Sequence, residues 1–296
     1  MTNNVLIVGA SGFVGRNLAS YLEKNIKIIR SSRNEKTGYI RFDIINDSIK
    51  AILALEKICT QDLTIVLCNK FGPMDKYLEN PNYAERCEVD SVEKLANECA
   101  ELNIPLVYLS TSYVFPGIKS IYREKTKTNP VSLYGKLKAA AEEKLIEASD
   151  KNLILRLDKI IGSSLHEKHL FTEWLDCAKH NKPIRCLENQ EFSPTYVEDI
   201  AKIVSLGISK KINGIYHCVN NEIWSRFDLA TNFANKLMLD IDITSESLVD
   251  LGLLENRPLY SNLNSKKIMD ELKFEFTPLN LKIEKIKKTK DSIYER

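Results

Sequence analysis

The sequence of 296 residues contains no apolar run of the roughly 20 residues needed to span a bilayer, so no membrane segment is expected. It has no excess of either charge: 42 Lys and Arg stand against 40 Asp and Glu, a net charge of +2. Neither a nucleic-acid partner nor an acidic membrane surface is suggested by that balance. C-x-x-C pairs are missing, and the seven cysteines are odd in number and scattered among apolar neighbours. Such cysteines read as reduced thiols of a cytoplasmic protein, not as a disulfide or zinc framework. The start offers no signal-peptide core, because it runs directly into Val5-Leu6-Ile7-Val8-Gly9. His166-Glu167-Lys168-His169 lacks the H-E-x-x-H spacing and reads as a surface helix, so no metal is expected. No internal repeat is visible.

What is present is an ordinary globular composition, 44% hydrophobic and 28% charged, on a chain longer than the usual single domain. Short apolar runs alternate with helical patterns through the first half. Strands are predicted at Val5 to Val8, Ile26 to Arg30, Tyr39 to Ile44, Thr64 to Asn69 and Leu106 to Ser112, with Leu153 to Leu157 and Ile215 to Val219 as later ones. Helices are predicted over Phe13 to Lys24 and Asn82 to Leu102. That alternation predicts an α/β fold with a parallel sheet covered on both faces. After residue 160 the rhythm loosens. Leu165 to Ile184 and Phe227 to Leu239 look helical, Arg257 to Asn264 looks like a loop, and Leu281 to Lys290 reads as a solvated amphipathic helix. His217 reads as a packing residue of its strand.

Gly9-Ala10-Ser11-Gly12-Phe13-Val14-Gly15 joins the first strand to the first helix. Gly9 permits a tight turn, Gly12 lets a pyrophosphate approach the backbone, and Gly15 lets helix and strand pack closely. The helix N-terminus then offers free N–H groups and a partial positive charge to the phosphates. A dinucleotide site on a Rossmann-type doubly wound parallel sheet follows, comprising residues 1–160 joined by late elements from about 192–220. A smaller, interleaved C-terminal substrate lobe would take 161–191 and 221–296. The second strand ends in Arg30-Ser31-Ser32-Arg33 with no acid to hold a ribose 2′-hydroxyl. Arg30, Ser31 and Arg33 suit a 2′-phosphate, which favours NADP(H) over NAD(H); the alternative for Arg33 is a surface-loop charge. Asp43 and Ile44 close the third predicted strand, where an adenine edge would lie.

Leu109-Ser110-Thr111-Ser112-Tyr113 ends a strand, where open parallel sheets place their ligands. Downstream, Tyr134-Gly135-Lys136-Leu137-Lys138 opens a helix, and its Tyr and Lys project from one face a turn apart. A neighbouring ammonium lowers the phenol's proton affinity, and Lys138 could also hold a nicotinamide ribose. Thr111 would polarise a substrate carbonyl and Tyr134 would protonate the alkoxide. The pair alone is a weak signal, since a half-buried aromatic beside a solvated cation has the same spacing. Its order after the glycine turn and the Ser-Thr strand end gives it weight.

The whole pattern resembles the extended short-chain dehydrogenases/reductases, and within them the dTDP-4-dehydrorhamnose reductase branch. Ser110-Thr111-Ser112-Tyr113-Val114-Phe115-Pro116-Gly117 is similar to that branch's S-T-D-Y-V-F-x-G stretch, and Pro130 to Lys138 to its P-x-x-x-Y-G-x-x-K. Ser193-Pro194-Thr195-Tyr196, Gly214 to His217, and Arg257-Pro258 with Ser261, Leu263 and Lys267 resemble its later signatures. The resemblance implies a catalytic triad of Thr111, Tyr134 and Lys138. It implies pyrophosphate contacts at Gly12, Phe13 and Val14, adenine contacts at Asp43 and Ile44, and an inner ribose region at Lys70, Phe71 and Gly72. The reaction implied is NADPH-dependent reduction of the 4-keto group of a nucleotide-linked 6-deoxyhexose in surface polysaccharide synthesis. An epimerase or dehydratase of the same fold, or a non-catalytic NADP-binding regulatory subunit, are the alternatives. A homodimer is compatible with the sequence. The chain departs from the branch at Ser112 (for Asp), Asp158-Lys159 (for Ser-Trp), Glu88 (for Asn) and Cys68-Asn69-Lys70 (for small alanines). These departures put the sugar in question more than the chemistry.

Overall fold

The computed structural model describes residues 4–119, 121–247 and 249–294; positions 1–3 and 120 of the expected domain 1–160, and 248, 295 and 296 of the expected lobe 221–296, lie outside it. In chain order the elements are β1 (Asn4–Val8), α1 (Phe13–Leu22), β2 (Lys27–Ser32), β3 (Ile40–Arg41), α2 (Ile49–Leu55), β4 (Leu63–Leu67), α3 (Asp75–Glu79) and α4 (Pro81–Glu85). A π-helical turn, Arg86–Asp90, runs straight into α5 (Ser91–Glu101), followed by β5 (Leu106–Thr111), α6 (Leu133–Ala148), β6 (Leu153–Leu157) and β7 (Ile160–Ile161). The rest comprises α7 (Leu170–Lys179), β8 (Ile184–Leu187), β9 (Glu191–Phe192), β10 (Thr195–Tyr196), α8 (Val197–Lys210) and β11 (Gly214–His217). It ends with β12 (Trp224–Ser225), α9 (Arg226–Leu237), β13 (Ile243–Glu246), α10 (Lys266–Leu272) and α11 (Leu279–Tyr294).

Seven strands form one parallel sheet in the order β11-β6-β5-β4-β1-β2-β3, the doubly wound arrangement expected. Side chains alternate along each strand, and both faces are apolar because both are covered. Val5 and Ile7 of β1, Leu153, Leu155 and Leu157 of β6 pack with α1, α8 and α10. Leu6 and Val8 face the other way, with Ile65 of β4 and Tyr108 of β5, onto α2, α5 and α6. The winding reverses between β1 and β4, which opens a crevice at their carboxyl ends.

A separate apolar core lies outside the sheet. Phe171 of α7 stacks on Phe233 of α9 at 4.6 Å, with Trp174, Ile161, Phe192, Leu279, Ile283 and Ile286 around them. Here several expectations change. The stretch Leu165 to Ile184 is not one helix: only Leu170–Lys179 is helical, because Pro183 disfavours a helical residue before it and Ile184 starts β8, which pairs with β13. His166 to His169 therefore forms no helix; His169 caps α7, and its ring stacks on Phe13 at 5.8 Å. The C-terminal helix is no solvated appendage, since Leu279, Ile283 and Ile286 are fully buried while Leu281 is exposed. His217 is buried against the Phe115 ring, as a packing residue would be.

Candidate functional site

The glycine turn sits at the crevice. Gly9 adopts φ +80°, a left-handed conformation that suits glycine. A Cβ on Gly15 would lie 2.4 Å from the Gly9 carbonyl oxygen and 2.7 Å from Ala10 Cα, so helix and turn are in backbone contact there. Gly12 is the N-cap of α1, with no side chain capping the helix and no acid in its first turn. Those free donors are the chemistry a pyrophosphate requires, and they fit a dinucleotide.

A cleft of about 440 Å³ runs from this turn in both directions. Gly9, Ser11, Gly12, Phe13, Val14, Arg33, Asp43, Ile44, Lys70 and Phe71 line it; Gly15 packs behind it. Arg30 and Ser31 are not brought there. Arg30 shares a strand face with Ser32 but lies two residues before the strand end, where its guanidinium is ion-paired with Glu23, and Ser31 is buried, donating to the Ile7 carbonyl at 3.2 Å. Ser32 and Asn34 take their place, and the Ser32 hydroxyl meets that of Ser11 at 3.3 Å. Sequence reasoning stood one residue away from Ser32; counting strand register from buried Ile7 would have found it. The Asp43 carboxylate is engaged by its own turn, accepting from the Ile45 amide and the Asn46 side chain.

Lys70 and Phe71 of the cleft lining also meet α6, the Lys70 ammonium lying 4.9 Å over the Tyr134 ring and Phe71 packing in the same apolar cluster. Thr111 is the last residue of β5, and its hydroxyl accepts from the Tyr113 amide at 3.3 Å. Ser132 caps α6 by accepting from the Gly135 amide at 3.0 Å. A Cβ on Gly135 would fall 2.2 Å from the Tyr113 carbonyl oxygen, so α6 begins in contact with the backbone that follows Thr111. Tyr134, Thr111 and Lys138 are thereby gathered at the carboxyl end of β5, inside the sheet. Burial pushes the Tyr134 phenol up to about 12; Lys138 and the Thr111 hydroxyl pull against that, while Glu88 and Tyr108 add to it.

Lys138 is buried and fully engaged. Its ammonium donates to the Tyr108 hydroxyl at 2.9 Å and the Leu109 carbonyl at 3.2 Å, and lies 3.4 Å from Glu88 Oε2. Glu88 comes from the π-helical turn, where one extra residue per turn aims a side chain inward. Its Oε1 accepts from the Phe71 amide at 2.8 Å and the Tyr77 hydroxyl at 2.6 Å. A carboxylate thus stands beside the candidate lysine at a position where the resembling branch has an uncharged amide. Glu255, which sequence reasoning passed over, accepts from the amides of Leu133 and Tyr134 at the start of α6.

Two of the sequence departures prove to be one. Ser112 stands for Asp and Asp158 for Ser, and the structure places them in contact, the Ser112 hydroxyl donating to Asp158 Oδ1 at 3.0 Å. A hydroxyl and a carboxylate thus meet between the ends of β5 and β6. Asp158 also accepts from the Ser193 amide at 2.7 Å and the Ser261 hydroxyl at 2.9 Å. Burial still raises its carboxyl to about 6, against the lowering by those donors. Ser112→Asp alone should therefore cost about 2 kcal/mol by facing two buried carboxylates. Adding Asp158→Ser should restore stability to within roughly 1 kcal/mol, giving a double-mutant coupling readable in urea unfolding midpoints. Additive losses would show that the two sites are independent.

Comparison with known proteins places this architecture. The chain is 29% identical over 281 residues to the dTDP-4-dehydrorhamnose reductase of Aggregatibacter actinomycetemcomitans, covering 89% of this chain and 91% of the relative. It is 28% identical over 249 residues to methionine adenosyltransferase 2 subunit beta of Xenopus tropicalis, covering 79% and 72%. In structure it is similar to the dTDP-4-dehydrorhamnose reductase of Bacillus anthracis solved in complex with NADP, with a TM-score of 0.85 at 22% identity, covering 97% and 99% of the two chains. The likeness in that case is one of fold. The family model described as the RmlD substrate binding domain matches residues 3–291, so the chain belongs to that family.

Proposed function

We propose that this chain is a cytoplasmic, NADPH-dependent reductase that takes the 4-keto group of a nucleotide-linked sugar to an alcohol, with the 6-deoxyhexoses of surface polysaccharide synthesis as the first candidates. The observation that carries the reading is the convergence of Thr111, Tyr134 and Lys138 at the carboxyl end of β5, beside Lys70 and Phe71 of a cleft with free helix donors. Residues 1–160, with 192–220, would hold the cofactor, and 161–191 with 221–296 the substrate. Bound there, NADPH would supply hydride to the carbonyl carbon. Thr111 would donate a hydrogen bond to the carbonyl oxygen, and Tyr134 would deliver the proton that the alkoxide takes up. Lys138 would carry the positive charge that makes the resulting phenolate tolerable, and Ser32 with Arg33 would receive a 2′-phosphate.

The test is direct. Purified protein with NADPH and a panel of dTDP-, UDP-, GDP- and CDP-linked 4-keto sugars should lose absorbance at the nicotinamide band with at least one member. A phenol held near 12 stays protonated through the neutral range, so reduction should be flat between about pH 6 and 9. Removing the Glu88 charge lets Lys138 act on Tyr134 unopposed and lowers that phenol. Glu88→Gln should accordingly shift the rising limb of alcohol oxidation, which needs phenolate, to lower pH by about one unit. An unmoved limb would disconnect Glu88 from Tyr134.

A second reading has an observation of its own. The buried Glu88 carboxylate beside Lys138 offsets the charge that would activate Tyr134, and one relative is a subunit beta of methionine adenosyltransferase 2. A non-catalytic, NADP-binding regulatory subunit would bind NADPH tightly and turn over no ketone in the panel.

A further inference from the structure

Lys138 has no hydrogen left to give. An ammonium carries three donors. Those of Lys138 meet the Tyr108 hydroxyl at 2.9 Å, the Leu109 carbonyl at 3.2 Å and Glu88 Oε2 at 3.4 Å. Lys138 and Glu88 are both buried. Turning the ammonium toward a cofactor ribose would strand the Glu88 carboxylate in the protein interior without its cation. That costs more than one hydrogen bond to a hydroxyl returns. The expected hold of Lys138 on the nicotinamide ribose is therefore opposed by the contacts it already makes.

A second lysine stands over the same tyrosine. Lys70 follows β4, lines the dinucleotide cleft and is exposed there, and its ammonium sits 4.9 Å over the Tyr134 ring. Among the described residues no carboxylate lies within ion-pair distance of that ammonium, and it donates no hydrogen bond to them. The backbone beside it is fixed. Glu88 Oε1 accepts from the Phe71 amide at 2.8 Å, and the Phe71 ring meets Tyr77 and Tyr83 edge-on at 5.3 and 5.4 Å. One carboxylate thus occupies Lys138 with one oxygen and anchors the neighbour of Lys70 with the other. Lys70 is left as the cation that faces both the cleft and Tyr134.

We propose that Lys70, and not Lys138, is the lysine that binds the cofactor beside Tyr134, donating to the hydroxyls of the nicotinamide ribose and keeping an unpaired positive charge over the phenol. Lys138, neutralised by Glu88, is then a positioning residue that fastens α6 to β5. The inference rests on the reductase reading for the cofactor and departs from it in which lysine serves Tyr134. An ammonium on a flexible stem suits the task, since its rotatable donors can meet two adjacent hydroxyls.

Calorimetric affinities for NADPH and for 2′,5′-ADP, which lacks the nicotinamide and its ribose, test this without turnover. Lys70→Met should weaken NADPH at least about tenfold and 2′,5′-ADP by less than about threefold. Lys138→Met alone strands the Glu88 carboxylate, so the comparison is the double variant Glu88→Gln with Lys138→Met. That variant should weaken NADPH by about threefold or less. Equal losses for the two ligands, an NADPH affinity unmoved by Lys70→Met, or a tenfold loss in the double variant overturns the proposal. No binding of NADPH to the wild-type protein overturns both the proposal and the reductase. Lys70-dependent NADPH binding without turnover of any 4-keto sugar upholds the proposal and removes the reductase. Turnover by a Lys70→Met protein of unchanged NADPH affinity does the reverse.

Discussion

Tyr134→Phe should lower kcat for ketone reduction by about 10²- to 10⁴-fold, with KM and cofactor affinity changed by less than about twofold. The substitution removes one oxygen and little else. The ring is held edge-on by Tyr77 at 5.3 Å and by Tyr113 at 6.0 Å, and Lys70 lies over its face. Phenylalanine keeps all three contacts, so a loss confined to kcat would report the proton and not the packing. The hydroxyl of the nearer Tyr77 is committed to Glu88, so Tyr113, whose ring also faces Tyr134, is the control. Burial raises that phenol, and the carboxylate of Asp158 raises it further. Tyr113→Phe should leave kcat within about threefold. Single-turnover rates of the two variants separate the assignments, and a fast Tyr134→Phe enzyme would move the donor elsewhere.

Glu142→Ala should destabilise the protein by about 3–5 kcal/mol, lowering the thermal midpoint by roughly 10 °C. Glu142 lies on the inner face of α6 and is buried with Arg156 of β6. The guanidinium grips it through Nε at 3.0 Å and through a terminal nitrogen at 2.6 Å, and Ser110 of β5 donates to the same carboxylate. Arg156 also lies 5.0 Å over the Phe115 ring. Ser110 and Arg156 are paired across β5 and β6, so this network fastens α6 to both strands one turn beyond Lys138. Removing the carboxylate leaves a buried cation with no counter-charge, which costs more than the pair contributed. Glu142→Leu with Arg156→Met should recover most of the loss, because an apolar pair of similar volume avoids both desolvation penalties. Differential scanning calorimetry of the single and double variants decides it.

The first half of the fold was legible because its signals are local. The apolar run of β1, the three glycines and the amphipathic α1 lie within twenty residues of each other, and each is read from spacing alone. That the sheet is parallel and covered on both faces follows from the same alternation. The substrate side was not legible in that way. β7, β9, β10 and β12 are two residues long and owe their existence to partners far along the chain. The C-terminal helix was misjudged because its lysines mask the seam Leu279, Ile283, Ile286, whose spacing of four and three places it on one face. At the site, Ser112, Asp158 and Glu88 were visible as departures, yet their meaning lay in contacts across 46 residues for the first pair and in a helical turn that periodicity does not reveal.

The Glu255 carboxylate holds the first amides of α6 from 121 positions downstream. A chain emerging from the ribosome therefore completes its dinucleotide crevice well before it can fix the start of the helix that carries Tyr134. Up to that point a growing chain could take hold of a nucleotide while its proton donor had no set direction. With the cofactor unit complete only near residue 220, competence for binding would precede competence for turnover by about 35 residues of synthesis, and a chain cut short before Glu255 would be a nucleotide sink without an output.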